Sequence, residues 1–192
     1  MKKQVCFLLV TSWLGLLITG CLGSAWTGAS LLYDRHDVYS ELNDYKLSAT
    51  AGHLLASDKL FERSGCKLDL AVFHGTVLLA GHVTSKELRQ IALDRLHSLS
   101  GYRLIYNQLA VTSGTSSTAI FDSWITTKIR SKIFADASIA PKDFKIVTVD
   151  GIVYIMGDIR KDQAEQIITI ARNTDRVIRV VKLFRILTES KG

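Results

Sequence analysis

Residue types that often carry catalysis occur along this chain, but their spacing forms no recognisable active site. Zinc sites use histidines and cysteines at short, regular separations. The histidines do not follow such a spacing: His36, His53, His74, His82 and His97. Serine, histidine and aspartate occur without a nucleophile elbow or a phosphate-binding loop. We therefore expect solvent-exposed histidines, no cofactor and no enzymatic activity, with a metal site near His74 and His82 as the alternative.

The cysteines point to lipidation rather than to thiol chemistry. A basic start at Met1–Lys3 precedes an apolar run, Val5–Ile18, which has the length of a secretory signal core. The run ends in Ile18-Thr19-Gly20-Cys21, which resembles the bacterial lipobox, whose cysteine is lipidated and becomes the new N-terminus. Acyl chains such as palmitate contribute about 0.8 kcal/mol per buried CH₂, so two or more anchor a protein stably. An ordinary signal peptide or a membrane anchor with an incidental Cys21 is the alternative.

Lipidation at Cys21 would decide the fate of the N-terminal residues. Residues 1–20 would be the signal peptide and residues 21–43 a tether. Cys6 would leave with the signal, so Cys66 would have no partner for an intrachain disulfide, and a lone catalytic thiol there lacks a partner as well. The residue after the cysteine is Leu22 and not the aspartate of the enterobacterial retention rule. The resemblance to enterobacterial lipoproteins therefore implies that the protein is sorted to the outer membrane and faces the periplasm.

The rest of the chain contains a repeat with a period of about 76 residues. The segment Leu70–Gly81 returns as Ile146–Gly157, with its two glycines at the same separation. This period is too long for a solenoid repeat and predicts two small domains of one fold. The predicted boundaries are residues 44–112 for the first domain, 113–119 for a linker, 120–188 for the second domain and 189–192 for a tail.

Each copy is predicted to contain a helix, two strands, a helix and a strand. This is an α+β fold with two helices packed on a small three-stranded mixed sheet. Asp150-Gly151 is a strong signal for a tight hairpin, because both central residues need positive φ, and His74-Gly75 takes its place in the first copy. The segment Thr84–Glu87 matches a capping box that opens the second helix.

These features together resemble the BON domain, an α-β-β-α-β module of bacterial periplasmic proteins, osmotically inducible ones among them. The resemblance rests on glycines at the hairpins, at the strand ends and before the last strand of the first copy: Gly75, Gly81, Gly101, Gly151 and Gly157. The run Asp122–Ser131 is similar to a helix in the dual-BON outer-membrane lipoproteins of Gram-negative bacteria. Arg176 departs from the pattern, since the family often has glycine there, and this puts the local turn geometry in doubt.

The resemblance implies a lipid-anchored, non-enzymatic protein of the cell envelope. Such proteins bind anionic phospholipid, for example phosphatidylglycerol or cardiolipin, through the second domain, support outer-membrane integrity and gather at division sites. The net charge of the second repeat favours an anionic partner as well, because this repeat has twelve Lys and Arg against eight Asp and Glu. Nucleic acid is not expected as a partner. The alternative function is a protein-binding scaffold for outer-membrane assembly, division or other envelope machinery.

The first helix of the second copy holds the candidate site. At about 100° per residue, Ile125, Ile129 and Ile133 form one stripe that should face the core. Trp124 and Phe134 should point away from this stripe, beside two cations. Aromatic rings at the headgroup level and cations at phosphates suit a membrane interface. The predicted phospholipid-binding residues are Trp124, Lys128, Arg130 and Phe134.

The first copy serves as an internal comparison for this helix. The aligned positions hold none of the candidate side chains: Lys46, Thr50, Gly52 and Ala56. The core positions persist as Leu47, Ala51 and Leu55. We therefore expect lipid binding by the second domain and not by the first. The alternative is that Trp124 and Phe134 pack on the other domain or on the linker.

Overall fold

The computed structural model describes residues 34–57, 59–112 and 119–187 of the 192-residue chain. The predicted signal peptide, Cys21 and the predicted tail lie outside the described residues, as do residues 22–33 of the predicted tether and 113–118 of the predicted linker. The described residues from Asp37 onward belong to one compact unit. Within the described ranges, no helix combines the length and the apolar composition that a membrane span requires.

The first repeat forms a three-stranded sheet with helices before and between its strands. Strand β2 lies in the centre, antiparallel to β1 and parallel to β3. The elements are α1 (Asp34–Ala56), α2 (Leu60–Arg63), β1 (Lys67–Phe73), β2 (Thr76–Val83), α3 (Lys86–His97) and β3 (Leu104–Val111). Helix α3 begins one residue later than the predicted capping box implies. Its N-cap is Ser85 and not Thr84, and the Oγ of Ser85 accepts from the Leu88 amide at 3.2 Å.

The second repeat follows the same order, with β5 between an antiparallel β4 and a parallel β6. Its elements are α4 (Ala119–Phe134), a 3-10 turn (Pro141–Asp143), β4 (Phe144–Val149), β5 (Ile152–Arg160), α5 (Lys161–Arg172) and β6 (Arg179–Leu187). The pairing Leu68 to Gly81 in the first sheet recurs as Phe144 to Gly157 in the second. The predicted α+β fold, with a three-stranded mixed sheet in each repeat, is therefore confirmed.

The first helix is longer than the sequence predicts. Residues 34–43, predicted as part of the tether, are helical, and Ala119, predicted as the last linker residue, already belongs to α4. In α1 the large apolar side chains Tyr39, Leu42 and Tyr45 are exposed. Because they do not face a core, this stretch lacks the helical apolar period by which a buried face is recognised.

The turns have the geometry that the glycine pattern predicts. Both residues of each hairpin turn have positive φ: 47° and 71° at His74 and Gly75, 53° and 73° at Asp150 and Gly151. Gly81 lies so close to β1 that a Cβ would overlap the carbonyl oxygen of Lys67. The turn geometry at Arg176 is retained, since its φ of 66° resembles the 81° of Gly101.

Each domain has its own apolar core, and a third cluster joins the two sheets. Alternate residues of a strand face opposite sides of a sheet. In β2, Leu79 faces the helices of its own domain, while Leu78 packs against residues of the second domain. Tyr154 and Met156 contribute from β5 to this shared cluster. The central strands are thus covered on both faces, and the two domains pack on each other through the sheet faces that carry no helix.

Candidate functional site

Helix α4 separates an apolar inner face from an exposed outer face. Ile125, Ile129 and Ile133 are at most 2% exposed and form the centre of the second core, which confirms the predicted stripe. The backbone of α4 is therefore fixed against β4 and α5 on one side. The orientation of its remaining side chains follows from this packing.

The outer face of α4 presents two aromatic rings and a lysine. Phe134 is 74% exposed and Trp124 39% exposed, so neither ring is fully buried. The Nζ atom of Lys128 lies 5.0 Å from the centroid of the Trp124 ring, within the range of a cation–π contact. We use "outer face" for Trp124, Lys128 and Phe134.

Arg130 lies apart from this outer face. Its Nη2 donates to the carbonyl oxygen of Ile146 on β4 at 3.3 Å. Lys132 also points elsewhere, because its Nζ donates to the Asn173 carbonyl at 3.3 Å and to Thr174 Oγ1 at 3.2 Å. Arg130 remains largely exposed. Of the predicted site residues, the structure brings Trp124 and Lys128 into contact and sets Arg130 at the flank of the helix.

Asp122 fastens the start of α4 to the β4–β5 hairpin, a role that the sequence analysis does not predict. Its carboxylate accepts from the backbone amides of Asp150 at 3.0 Å and Gly151 at 2.9 Å. In the first domain, Asp44 accepts from the amides of His74 and Gly75 at 2.6 and 2.7 Å. The available signal was the repeat itself, since aligning Lys46 with Trp124 also aligns the two aspartates.

The first domain contacts this hairpin through Lys67. The Nζ of Lys67 lies 2.9 Å from Asp150 Oδ1 and 3.3 Å from Asp122 Oδ2. Burial alone would lower the pKa of Lys67, but the hydrogen bonds to Asp150 and Asp122 outweigh it and leave the pKa raised. Burial raises the pKa of the neighbouring Asp69. The cation of Lys67 thus joins β1 of the first domain to α4 and the hairpin of the second.

Two further contacts hold the domains together. Lys145 on β4 donates to the carbonyl oxygen of Val72 on β1 at 3.1 Å, and burial lowers the pKa of Lys145. Arg103 of the first domain lies 3.3 Å from the carboxylate of Asp158 in the second. The hydrogen bond from Arg185 to this carboxylate, at 2.8 Å, lowers the pKa of Asp158. The face-to-face packing of the sheets therefore has polar contacts at its margins.

The exposed apolar surface continues beyond the predicted residues at the start of α4. Ile120 and Ile178 are both more than three-quarters exposed. The guanidinium carbon of Arg176 lies 4.5 Å from the centroid of the Phe121 ring. The helical period could have indicated Ile120 and Phe121, which lie four and three residues before Trp124. The helical period could not have indicated Ile178, because this residue lies in the loop before β6.

Helix α1 also exposes apolar side chains, but its charge has the opposite sign. Tyr39, Leu42 and Tyr45 are 73%, 52% and 73% exposed. The sequence of α1 contains four Asp and Glu against two Lys and Arg, whereas α4 contains three Lys and Arg against one buried aspartate. The two helices therefore differ in their attraction to an anionic surface.

The histidines and Cys66 form no common site. His53, His74 and His97 are exposed, but the expectation of exposure is wrong for His82, which is buried with its Nδ1 3.3 Å from Asp150 Oδ2. His82 is buried because β2 is covered on both faces. Within the described part of the chain, no group of three or more His, Cys, Asp or Glu residues is arranged to hold a metal ion. Cys66 is a half-buried free thiol.

Comparison with known proteins places both repeats in one family. Residues 46–113 and 121–188 each match the BON domain. The chain is 26% identical over 188 residues to outer membrane lipoprotein DolP of Haemophilus influenzae, covering 97% of each chain. It is 26% identical over 152 residues to the 21 kDa hemolysin of Actinobacillus pleuropneumoniae, covering 78% of this chain and 77% of that one.

The similarity to solved structures is more distant. The C-terminal domain of CdsD, the structural protein of the type III secretion system of Chlamydia trachomatis, is 11% identical and has a TM-score of 0.30. The match covers 76% of this chain and 67% of that chain. At this identity and TM-score, the likeness has no bearing on function.

Proposed function

The chain belongs to the BON domain family, and from that premise we propose that it binds anionic phospholipid through the outer face of α4. The observation that carries this proposal is the exposed pair of rings, Trp124 and Phe134, with Lys128 stacked on Trp124. Aromatic rings are favoured at the headgroup level of a bilayer, and a lysine beside them reaches the phosphates. Each basic residue at an anionic surface adds about 1 kcal/mol.

The charge of the two helices supports binding by the second domain. Helix α1 also has exposed aromatics, so apolar exposure alone does not select α4. Its acidic excess opposes approach to an anionic bilayer, whereas the basic residues of α4 favour it. Arg130, at the flank of α4, adds to the positive charge and would contact phosphates only if the helix lies flat on the surface.

The similarity to an outer membrane lipoprotein supports a proposal for where the protein lies in the cell. We propose that residues 1–20 are removed, that Cys21 is acylated and that the protein lies on the periplasmic face of the outer membrane. There the two domains, at residues 44–112 and 120–188, would act without enzymatic activity to maintain membrane integrity, including at division sites. The acyl anchor would hold α4 close to lipid, which raises the effective concentration for a weak surface contact.

Vesicle co-sedimentation tests the lipid face. The chain should be used from Leu22 onward, because acyl groups on Cys21 would hold every variant on the vesicle. Both domains should be kept, since their sheets share an apolar cluster. A Trp124→Glu, Phe134→Glu double variant should bind phosphatidylglycerol vesicles at least about ten-fold more weakly, because it removes two apolar contacts and adds two like charges.

A matched control comes from α1. The Leu42→Glu, Tyr45→Glu double variant changes two exposed apolar residues and the net charge in the same way. It should bind phosphatidylglycerol vesicles within about two-fold of the original chain, apart from the general effect of net charge. Equal weakening by both double variants would mean that net charge, and not the outer face of α4, governs binding.

A protein-binding scaffold is the second candidate function, and the exposed face of α1 favours it. Tyr39, Leu42 and Tyr45 form an apolar surface on the first domain that carries no basic excess. Tyrosine is enriched at protein interfaces because it offers both an apolar ring and a polar tip. Photo-crosslinking in cells separates the candidates. A stoichiometric protein adduct at position 45 favours a scaffold role for the first domain, and such an adduct at position 124 contradicts the lipid face.

A further inference from the structure

Arg176 occupies a backbone position that suits glycine. The amide of Ile178 donates to the Gly151 carbonyl at 2.9 Å, as the amide of Arg103 donates to the Gly75 carbonyl at 2.7 Å in the first domain. This shared bond makes Arg176 the structural counterpart of Gly101. Both have positive φ, at 66° and 81°. Side chains with a Cβ are strained in this region, so arginine is uncommon at such a position.

The side chain of Arg176 makes a contact that glycine could not make. Its guanidinium lies over the Phe121 ring at 4.5 Å from the centroid. Arginine stacks well on aromatic faces and keeps its donors free at the edge of the guanidinium plane. No ion pair between Arg176 and a carboxylate is found among the described residues. Its charge is therefore available to a ligand.

The neighbouring residues fix this stack at one end of α4. Ile178 lies over the hairpin turn, where a Cβ on Gly151 would meet its Cδ1 at 2.9 Å. The same turn is held to α4 by Asp122, the residue after Phe121. One surface at the N-terminal end of α4 is therefore formed by Phe121, Arg176 and Ile178, and we call it the N-terminal patch. Ile178 is its more exposed apolar residue, at 77%.

We propose that the N-terminal patch is a second phospholipid-binding site, in which Arg176 binds the phosphate of an anionic lipid while Phe121 and Ile178 enter the acyl boundary. This inference rests on the proposed function of α4 and extends its contact surface beyond the helix. A membrane is the occupant because the patch combines a free cation with two exposed apolar side chains beside the outer face. The planar fork of arginine matches two oxygens of one phosphate.

The Arg176→Gly variant tests this site, and the fold should be retained because glycine suits the backbone conformation at this position. Glycine relieves the strain at positive φ while the variant loses the stack on Phe121, so these opposing effects should leave the melting temperature nearly unchanged. Its affinity for phosphatidylglycerol vesicles should fall about five-fold, the effect of one basic residue at an anionic surface. Binding at the original affinity would overturn the proposal.

The first domain provides a control for net charge. A Gly101→Arg substitution added to Arg176→Gly restores the charge at the equivalent position. A Cβ there meets no atom within 4 Å, and the φ of 81° strains the new arginine as the φ of 66° strains Arg176. This double variant should bind phosphatidylglycerol vesicles as weakly as Arg176→Gly alone. Recovery of the original affinity would also overturn the proposal, because charge anywhere on the chain would then suffice.

The two lipid sites can fail independently. Weaker binding by Arg176→Gly together with unchanged binding by Trp124→Glu, Phe134→Glu would support the N-terminal patch and contradict the outer face of α4. The reverse result would retain the outer face and remove Arg176 from the site. All comparisons use the two-domain chain from Leu22 onward, with phosphatidylcholine vesicles to measure binding that does not depend on headgroup charge.

Discussion

Lys67 of β1 binds Asp122 of α4 across the domain boundary, with Nζ 3.3 Å from Oδ2. The same carboxylate accepts from the hairpin amides of Asp150 and Gly151. One residue of the first domain therefore helps to fix the helix that carries the proposed lipid face. We infer that the first domain contributes by holding α4 in place, although its helix α1 carries an acidic excess that opposes contact with an anionic bilayer.

Replacing Lys67 should destabilise the chain. In Lys67→Met, the carboxylates of Asp122 and Asp150 lose their shared cation while they remain largely buried. The free energy of unfolding should fall by about 1–3 kcal/mol, less than for a fully buried pair because Lys67 is partly exposed. Urea denaturation measures this change. Lys182→Met, at an exposed position of β6, should shift stability by less than about 0.5 kcal/mol, and an equal effect of the two variants would contradict the role of Lys67.

The two hairpin aspartates offer a matched pair of substitutions. Asp122→Ala and Asp44→Ala each remove a carboxylate that accepts from two turn amides. Asp122 is 5% exposed and also binds Lys67, whereas Asp44 is only half-buried. We expect losses of about 2–4 kcal/mol for Asp122→Ala and about 1–2 kcal/mol for Asp44→Ala. Chemical denaturation should give this order, and a larger loss for Asp44→Ala would contradict it.

The raised pKa of Asp69 gives a pH-dependent prediction. Burial raises this pKa above the usual 3.8, so the folded chain prefers the protonated carboxyl. Stability from this group is then present at low pH and is lost as the pH rises from 3.8 through the folded-state pKa. Asp69→Asn should therefore raise the melting temperature at pH 7 and have little effect near pH 3. A lower melting temperature at pH 7 would show that the attraction of Asp69 to Lys67 outweighs its burial.

The sequence predicts the elements of each domain because their signals are local. The hairpins at His74 and Asp150 follow from short-range turn rules, and the stripe that contains Ile129 follows from the helical period. The contact between Lys67 and Asp122 joins residues that are far apart in sequence, and no local pattern indicates it. It depends on how the two sheets pack, which the repeat alone leaves open.

The sequence also contains a signal for the packing of the two sheets, which the interpretation based on the repeat does not use. The continuous apolar run Val77–Ala80 in β2 is typical of a strand buried on both faces, and the run Ile152–Met156 is its counterpart. One helix layer covers only one face of each sheet, so a second cover was required. At the candidate site, the sequence predicts the outward side of α4. It does not predict Ile178 or the stack of Arg176 on Phe121, since both depend on the loop before β6.

Fluorescence of Trp124 in the presence of lipid tests the central claim most directly. The chain contains Trp13, Trp26 and Trp124, so the chain from Leu22 onward with Trp26→Phe reports on Trp124 alone. Trp124 is partly exposed in the free protein. If the outer face of α4 binds anionic phospholipid, phosphatidylglycerol vesicles should shift its emission to shorter wavelength, and brominated acyl chains should quench it. Vesicle binding with an unshifted, unquenched Trp124 emission would contradict the account.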